Sequence, residues 1–268
     1  MKLRDRVAIV TGGGRGIGKA IVRRFAAEGA LVAVTGTSRD LLEATAREVV
    51  ADGGKAVAIV ADVSDEKAVA AMVARVAKEL GGIDILVNNA GVSGPTATVA
   101  EMPVAEWERT LAVNLTGAMI CARYAIPHIV TGGRRRAPDQ FSGGRIINIA
   151  SVAGQIGYAL RSPYAASKWG MIGLTRSLAV ELGPEGVTVN AIAPGSTRGD
   201  RIGDVVRTRA AALGKTPDEI EREFFIDANA LKRMVEPEEI AATAAFLASD
   251  EARNITGETI AVSAGFRL

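Results

Sequence analysis

Residues 7–18 read VAIVTGGGRGIG, a short apolar run that leads directly into a cluster of glycines. Glycine lets the backbone turn tightly and approach a ligand closely, and a helix that begins after such a turn offers free N–H groups and a partial positive charge to an anion. The stretch therefore predicts a strand, a phosphate-binding loop and a helix, in that order. The residues expected to contact the phosphates are Gly12, Arg15, Gly16, Ile17 and Gly18.

Short Val- and Ile-rich runs like the first recur along the whole chain and predict buried strands. They are Val7 to Thr11, Leu31 to Thr35, Ala56 to Ala61, Ile83 to Asn88, Arg145 to Ala150, Val187 to Ile192 and Thr259 to Ser263. Ala-rich segments with helical spacing lie between them, at Gly18 to Glu28, Arg39 to Asp52, Glu66 to Leu80, Glu106 to Ile129 and Tyr164 to Leu182. Because parallel strands require crossover connections, this alternation predicts a single-domain α/β fold: a Rossmann-type doubly wound parallel sheet of about seven strands with helices on both faces.

Two segments interrupt the alternation. Thr131 to Gly144 has the Gly, Pro and Arg content of a solvated loop, which we expect at the amino-terminal end of the fifth strand, away from ligands. Gly195 to Val235 separates the last two strands and carries its own helical pattern, in which Thr216 and Glu219 have the spacing of a capping box. We expect this insertion, at about residues 195–235, to be a substrate lid on one domain that spans residues 1–268.

The composition argues against several classes of function. Lys and Arg total 32 against 30 for Asp and Glu, so the net charge of +2 provides no basic field for nucleic acid, and the run Arg134 to Arg136 is a weak candidate. One cysteine, Cys121, and one histidine, His128, cannot complete a zinc site or readily supply a Ser-His-Asp triad. No apolar stretch has the length of a signal peptide or a membrane span, which predicts a cytoplasmic protein with no membrane partner.

The end of the second predicted strand bears on the choice of dinucleotide. Folds of this class that prefer NAD usually place a carboxylate there for the adenosine ribose, whereas this chain continues Gly36-Thr37-Ser38-Arg39. Without the carboxylate a 2′-phosphate is not repelled, and Arg15, Thr37, Ser38 and Arg39 can donate hydrogen bonds to it. NADP(H) is therefore favoured, with NAD(H) as the alternative if Thr37 or Ser38 merely caps the next helix and Arg39 lies in water.

A second group of residues has the chemistry of a proton donor. Ser151 follows the fifth predicted strand, and the helix beyond it opens with Tyr164 and Lys168, which a spacing of four places on one helix face. A free phenol has a pKa of about 10, and a fixed ammonium beside it stabilises the phenolate. The pair therefore suits general acid–base catalysis.

In this order the motifs resemble those of the classical short-chain dehydrogenase/reductase family, including its 3-oxoacyl-(acyl carrier protein) reductase-like members. The residues that carry the resemblance extend over nearly the whole chain: TGGGRGIG at Thr11 to Gly18, Asp62-Val63, NNAG at Asn88 to Gly91, Asn114, Ser151, YAASK at Tyr164 to Lys168, and Pro194-Gly195. The chain departs from the family pattern at Gly199, where Thr is frequent, and at Ser263-Ala264-Gly265, where Asp-Gly-Gly is usual.

The resemblance implies a role for each of four catalytic residues. Tyr164 would be the general acid when a carbonyl is reduced, and Ser151 would hydrogen-bond the carbonyl oxygen. Lys168 would hold the nicotinamide ribose and favour the phenolate of Tyr164, and Asn114 would anchor a water that links Lys168 to solvent. Taken alone, Asn114 reads as an ordinary polar helix residue and Ser151 as the end of a strand.

The resemblance also implies further contacts to the cofactor. Asp62 and Val63 would contact the adenine, Asn89 would lie along the cofactor near the fourth strand, and Thr197 would replace the family's Thr at the nicotinamide. Alone, Asp62 reads as a turn residue or helix cap. The substrate pocket is expected among the residues after Gly91, the residues after Ser151 and the lid, where Phe224 or Phe225 would approach the substrate.

The function that these residues predict is hydride transfer between NADP(H) and a small-molecule carbonyl or secondary alcohol, such as a 3-oxoacyl thioester, a hydroxy acid or another ketone. A catalytically silent dinucleotide-binding regulatory protein on the same fold is the alternative. The predicted helices Glu106 to Ile129 and Tyr164 to Leu182 have Ala-, Leu- and Ile-rich faces, which either cover the sheet or pack between subunits. In the resembled family these two helices form the main interface, so the resemblance implies a homotetramer.

Overall fold

Seven strands form one parallel sheet in the computed structural model, which describes residues 1–136 and 143–266. The strands are β1 (Val7–Thr11), β2 (Leu31–Gly36), β3 (Lys55–Val60), β4 (Ile85–Asn88), β5 (Arg145–Ile149), β6 (Thr188–Pro194) and β7 (Thr259–Val262). Their order across the sheet is β3-β2-β1-β4-β5-β6-β7, and every neighbouring pair is parallel. The predicted fold class is confirmed, and each predicted strand is present to within two residues at either end.

Helices connect the strands and cover both faces of the sheet. They are α1 (Gly16–Ala27), α2 (Arg39–Ala51), α3 (Glu66–Leu80), α4 (Val104–Leu111), α5 (Gly117–Arg136), α6 (Ser162–Leu182), α7 (Asp200–Leu213), α8 (Pro217–Ile220) and α9 (Pro237–Ala248). The sequence predicted one helix over Glu106 to Ile129. The structure instead has two helices, α4 and α5, joined by a π-helical turn at Ala112–Thr116. Apolar residues spaced for an α-helix do not reveal such a turn, so the sequence pattern could not distinguish two helices from one.

Side chains along each strand point alternately to the two faces of the sheet, and an apolar core lies on each face. Ala8 and Val10 of β1 face the core beneath α1, α2 and α9, whereas Val7 and Ile9 face the core beneath α3, α5 and α6. Cys121 of α5 is fully buried in the second core, and this burial raises the pKa of its thiol to about 12. A thiol in that state is a packing group.

The chain order reverses between β1 and β4, which are neighbours in the sheet. The connections from β1 to β2 and from β2 to β3 run through α1 and α2 on one face, whereas those from β4 to β5 and from β5 to β6 run through α5 and α6 on the opposite face. In open parallel sheets a crevice therefore forms beyond the carboxyl ends of the strands at the reversal, where ligands bind. The glycine cluster follows β1, and the segment Asn89 to Gly91 follows β4, at this same point.

The connection between α5 and β5 differs from the prediction. Thr131 to Gly144 was expected to be a loop, but α5 continues to Arg136, and residues 137–142 lie outside the described part. Gly132 lies within the helix, at a point where a Cβ would be 2.9 Å from the carbonyl oxygen of Ile83. This glycine therefore permits close packing of the helix on the sheet.

The insertion between β6 and α9 contains α7, α8 and a π-helical turn at Glu221–Ile226. The capping box that the sequence predicts is present, with Thr216 Oγ1 accepting from the N–H of Glu219 and the Glu219 carboxylate accepting from the N–H of Thr216. The insertion has an apolar cluster of its own, whose fully buried members are Val206, Ala210, Ile220, Phe225 and Met234. A backbone bridge between Thr197 and Val235 joins its two ends.

Among the described residues, no helix combines the length and the apolar character that crossing a lipid bilayer requires. In the same part of the chain, no group of three or more His, Cys, Asp or Glu side chains is arranged to hold a metal ion.

Candidate active site

The glycine loop after β1 has a backbone that other residues would disturb. Gly12 and Gly16 have φ angles of 64° and 52°, in the left-handed region that favours glycine. A Cβ on Gly18 would lie 2.2 Å from the carbonyl oxygen of Gly12, so the first turn of α1 packs directly on the loop. Arg15 is the N-cap of α1 and makes no side-chain cap, which leaves the first N–H groups of the helix for a ligand.

Asn89 holds this loop from the neighbouring strand. Its Nδ2 donates to the carbonyl oxygens of Thr11 at 2.8 Å and Gly12 at 3.2 Å. In return, Thr11 Oγ1 accepts from the backbone N–H groups of Asn89 and Ala90, both at 3.0 Å. The ends of β1 and β4 are therefore fixed to each other. The sequence predicts that Asn89 lies along the cofactor. In the structure the amide of Asn89 is hydrogen-bonded to the glycine loop.

The residues after β2 expose several hydrogen-bond donors. Ser38 is the N-cap of α2, but its hydroxyl makes no cap hydrogen bond. Arg39 is exposed, and its nearest carboxylate is that of Glu43, one helical turn away at 3.5 Å. Thr37 is exposed as well. The alternative in which the Ser38 side chain caps α2 is therefore not what the structure shows.

The predicted adenine contacts follow β3. The carboxylate oxygen Oδ1 of Asp62 accepts from both the N–H and the hydroxyl of Ser64, at 2.9 and 2.7 Å, which closes a turn. Val63 is buried, and its Cγ2 would lie 2.7 Å from a Cβ on Gly117 at the start of α5. The turn role of Asp62 is thus present, and the adenine contact stays a prediction.

A buried line of amide groups, which the sequence analysis missed, supports the site from below. Asn88 Nδ2 donates to Asn148 Oδ1 at 2.9 Å, and Asn148 Nδ2 donates to Thr175 Oγ1 at 2.9 Å. This line connects β4, β5 and α6 through the core. The repeated Asn at the ends of two adjacent strands is the one signal in the sequence that pointed to it.

Asn114 lies in the π-helical turn and is fully buried. Its Oδ1 accepts from the N–H of Val92 at 2.7 Å, and its Nδ2 donates to the carbonyl oxygen of Val92 at 3.0 Å. The same Nδ2 donates to Ser167 Oγ at 3.1 Å, and Ser167 Oγ donates to the carbonyl oxygen of Tyr164 at 2.7 Å. The side chain of Asn114 thus joins the segment after β4 to the helix that carries Tyr164 and Lys168.

Tyr164 and Lys168 face the crevice from α6. Lys168 is 4% exposed, and its Nζ donates to the carbonyl oxygen of Ile149 at 2.7 Å. That nitrogen lies 5.7 Å from the centre of the Tyr164 ring and 3.8 Å from the position of a Cβ on Gly91. The end of β5, the segment after β4 and the first turns of α6 therefore converge on this ammonium.

Ser151 follows β5 and begins a short 3₁₀ turn at Val152–Gly154. Its Oγ accepts from the N–H of Ala153 at 3.1 Å, an arrangement that leaves the hydroxyl proton to donate elsewhere. Gly154 presses on α6, because a Cβ there would lie 2.7 Å from the backbone of Lys168. This close approach brings the turn that contains Ser151 onto the helix that carries Tyr164 and Lys168.

Thr197 begins the insertion, and its hydroxyl donates to the carbonyl oxygen of Gly195 at 3.1 Å. Of the two phenylalanines expected near the substrate, Phe225 is buried in the insertion's own apolar cluster, and Phe224 is partly buried against it. The guanidinium of Arg209 lies 4.0 Å from the centre of the Phe224 ring.

Arg161 is a residue that the sequence analysis did not single out. It lies three residues before Tyr164 and is almost completely buried.

Comparisons with known proteins agree with this geometry. A family model described as enoyl-(acyl carrier protein) reductase matches residues 12–267. The chain is 36% identical to cis-4-hydroxycyclohexanecarboxylate dehydrogenase of Sinomonas cyclohexanicum, over 98% of this chain and 96% of that one. It is 37% identical to meso-2,3-butanediol dehydrogenase of Serratia marcescens, over 99% and 96% of the two chains. A structure of NAD+-bound xylitol dehydrogenase superposes with a TM-score of 0.92 at 32% identity, covering 99% of this chain and 100% of the other.

Proposed function

The chain belongs to the short-chain dehydrogenase/reductase family, and from this premise we propose that it transfers hydride between NADP(H) and a small carbonyl compound or secondary alcohol. As a member of that family it is an NAD(P)-dependent enzyme that acts on alcohols or ketones. Beyond family membership, we propose a preference for NADP(H) over NAD(H), the identity of the catalytic residues, the class of substrate and the oligomeric state.

The residues at the carboxyl ends of β1 and β4 fit a dinucleotide. Gly12, Gly16 and Gly18 have no side chains that would block a pyrophosphate, and a Cβ on Gly18 would lie only 2.2 Å from the carbonyl oxygen of Gly12, so the backbone is closely packed there. Gly12, Arg15, Gly16, Ile17 and Gly18 would hold the phosphates, and Asn89 would keep the loop in place. When bound, the nicotinamide supplies or accepts the hydride.

The preference for NADP(H) is supported by the residues after β2. Gly36 brings no carboxylate to the ribose, and the side chains of Thr37 and Ser38 offer hydroxyl donors, with Arg39 one residue further. Charge-assisted hydrogen bonds from Arg39 and Arg15 to a 2′-phosphate are stronger than bonds between neutral groups. The carboxylate of Glu43 competes for Arg39, although their 3.5 Å separation in exposed surroundings makes that pair weak.

The proton chemistry is assigned to Tyr164, Ser151 and Lys168. In the direction of reduction, the Tyr164 hydroxyl donates its proton to the carbonyl oxygen of the substrate as that oxygen becomes an alkoxide. The Ser151 hydroxyl donates a hydrogen bond to the same oxygen and stabilises the developing charge. Lys168, held by its bond to Ile149, stabilises the phenolate that remains and would also bind the nicotinamide ribose.

Asn114 contributes to the site mainly by position. Both ends of its amide are used in bonds to Val92 and Ser167, so the side chain keeps the wall after β4 at a fixed distance from α6. A water that links Lys168 to solvent would then lie beside the π-helical turn that contains Asn114.

The substrate class is inferred from the chemistry of the relatives. A hydroxycyclohexanecarboxylate, a 2,3-butanediol and xylitol appear in the names of similar proteins, and all carry secondary hydroxyl groups. We expect the substrate to be a secondary alcohol or its ketone. The test is a panel of cyclic ketones, diketones, keto acids, 3-oxoacyl thioesters and ketoses, each followed by the absorbance of the reduced nicotinamide with NADPH and with NADH.

A homotetramer is proposed from the outer surface of α5 and α6. Met119 of α5 and Trp169 and Val180 of α6 are exposed, and Val180 is 80% exposed. Burying such side chains between subunits removes apolar surface from water.

A last proposal concerns the insertion at residues 195–235. Its separate apolar cluster and its bridged ends suit a lid over the substrate.

The single observation that carries the proposed function is the convergence of Lys168 Nζ on the Tyr164 ring, the end of β5 and Gly91. Turnover of a ketone from the panel that is abolished by Tyr164→Phe while cofactor binding persists would support it. A wild-type protein that binds NADPH and reduces no ketone of the panel would instead favour the catalytically silent alternative.

A further inference from the structure

Arg161 is the residue immediately before α6 and occupies the N-cap position of that helix. It is 9% exposed, a low value for an arginine, whose charged head usually stays in water. Its spacing of three before Tyr164, and Tyr164's spacing of four before Lys168, place all three side chains along one stripe of the helix. None of the motifs discussed above includes it.

Two hydrogen bonds attach Arg161 to the segment that follows β4. Its Nη2 donates to the carbonyl oxygen of Ser93 at 2.8 Å, and its Nη1 donates to Thr96 Oγ1 at 3.3 Å. A backbone bond lies beside them, from the N–H of Ala97 to the carbonyl oxygen of Leu160 at 3.0 Å. We call these three bonds the Arg161 clamp.

The backbone on both sides of the clamp is constrained. Leu160 has a φ of 65°, in the left-handed region, which is uncommon for a residue with a bulky side chain and is found where the surroundings determine the conformation. On the other side, Gly94 has a φ of 67°, and a Cβ there would lie 2.8 Å from Thr110 Oγ1. The segment Ser93–Ala97 is thus seated in the corner between α4 and the start of α6.

The clamp lies directly beside the proposed proton donor. The guanidinium carbon of Arg161 is 5.8 Å from the centre of the Tyr164 ring, and the Lys168 nitrogen is 5.7 Å from it. The tyrosine ring therefore has one cation on the preceding turn of its helix and another on the following turn. A guanidinium provides two parallel donors in a fixed plane, which a flexible ammonium does not.

We propose that Arg161 is a positioning residue for hydride transfer, which fixes the Ser93–Ala97 wall of the substrate site against the first turn of α6 and so sets where the substrate carbonyl meets Tyr164. This inference rests on the proposed function, because it assigns the reacting carbonyl to that place. Loss of the clamp widens the site on the substrate side and leaves the dinucleotide loop after β1 intact. Misplacement of a reacting group by about 1 Å can cost roughly 100-fold in rate.

The first test requires no turnover. Hydrogen–deuterium exchange, read by mass spectrometry, is compared between wild type, Arg161→Met, Arg161→Lys and Arg75→Met, an exposed arginine of α3 used as the control. We expect faster exchange in peptides covering residues 93–98 for Arg161→Met and Arg161→Lys, and no change for Arg75→Met. Unchanged exchange in that segment for Arg161→Met overturns the clamp, whatever the enzyme's activity.

The second test separates positioning from general stability. With the ketone of the panel that wild type reduces fastest, kcat/KM for the ketone is expected to fall roughly 10–100-fold in Arg161→Met, while the protein stays folded at the assay temperature and the Kd for NADPH stays close to wild type. Thr96→Val, which removes the weaker acceptor alone, should fall in between. An unchanged kcat/KM for the ketone, or NADPH binding that weakens in parallel with it, contradicts the positioning role. If the wild type reduces no ketone of the panel, the proposed function fails. The exchange test still reports on the clamp in that case, because it requires no turnover.

Discussion

The ammonium nitrogen of Lys168 lies 5.7 Å from the centre of the Tyr164 ring and 2.7 Å from the carbonyl oxygen of Ile149. The bond to Ile149 ties the lysine to the end of β5, so its charge cannot turn away from the tyrosine. In the proposed mechanism this ammonium therefore stays beside the ring whose hydroxyl would donate the proton. The relationship depends on the one helical turn between the two residues and on the close packing of Gly154 against α6.

Cofactor choice depends on Arg39 in this account. Arg39→Ala should weaken NADPH binding by about 1.5–3 kcal/mol, which is about 10–150-fold in Kd, because one charge-assisted bond to the 2′-phosphate is lost. NADH binding should hardly change. Both are measured by titrating the fluorescence of the reduced cofactor.

Arg47→Ala is the matched control for Arg39→Ala. Arg47 also faces Glu43 but lies two turns further along α2, beyond reach of the ribose. Equal affinity of wild type for NADPH and NADH would contradict the cofactor assignment. A loss of NADPH affinity in Arg47→Ala equal to that in Arg39→Ala would show a general charge effect instead.

The glycine loop should not tolerate a methyl group at Gly18. A Cβ there meets the carbonyl oxygen of Gly12 at 2.2 Å, so Gly18→Ala has to displace the loop backbone that would hold the phosphates. We expect dinucleotide binding to be lost or strongly weakened, as measured by calorimetry with NADPH. Gly53→Ala is the control: Gly53 has a φ of 81° and open space around it, at the turn after α2. NADPH binding in Gly18→Ala that matches Gly53→Ala would refute this role of the loop.

The outer face of α5 and α6 should form the subunit interface. Light scattering of the wild type should give a mass of about four times the 27.8 kDa chain. Val180→Glu places a charge on the exposed face of α6 and should lower that mass, whereas Val50→Glu, at an exposed valine of α2, should leave it unchanged. A wild-type mass of a single chain would show that these apolar faces stay in water.

The start of α9 should make stability depend on pH in the acid range. Arg233 donates two hydrogen bonds to Glu239, and the N–H of Glu236 donates a third, which together lower the pKa of the Glu239 carboxyl from 4.5 to about 2. A carboxyl with a lowered folded-state pKa stabilises the fold above its ordinary pKa and loses that contribution as the pH falls toward 2. Glu239→Gln should therefore be less stable than wild type at neutral pH by about 0.5–1 kcal/mol.

Urea unfolding at several pH values measures this difference. The gap in free energy of unfolding between wild type and Glu239→Gln should narrow as the pH falls below 4.5. Glu238→Gln, on the same turn of α9, is the matched control for the loss of one acidic charge. A gap that stays constant down to pH 3 would be inconsistent with the lowered pKa.

Much of this fold can be predicted from the sequence because parallel strands buried on both faces read as continuous Val and Ile runs. Val7 to Thr11 matches β1 at both ends, and Glu66 to Leu80 matches α3, where Asp65 caps the first turn. The helix that was predicted over Glu106 to Ile129 shows the limit. Its apolar spacing continues through the π-helical turn at Ala112–Thr116, which depends on contacts that Asn114 makes with Val92, distant in the chain.

The site was only partly predictable for the same reason. Ser151, Tyr164 and Lys168 have local spacing that a sequence pattern can record. Asn89 bonding to the glycine loop and Arg161 bonding to Ser93 join residues more than sixty positions apart, and no local pattern records such pairs. The long-range hydrogen bonds of the site therefore emerge from the topology, which brings the ends of β1, β4 and β5 to one edge.

The most direct test of the central claim is the turnover of Tyr164→Phe, measured beside its NADPH affinity. The substitution keeps the ring and its packing but removes the proton that the reaction requires. We predict that ketone reduction falls by roughly 10²–10⁴-fold while NADPH binds as it does to wild type. Near wild-type turnover by a folded Tyr164→Phe protein would contradict the account, because the proton would then come from another group.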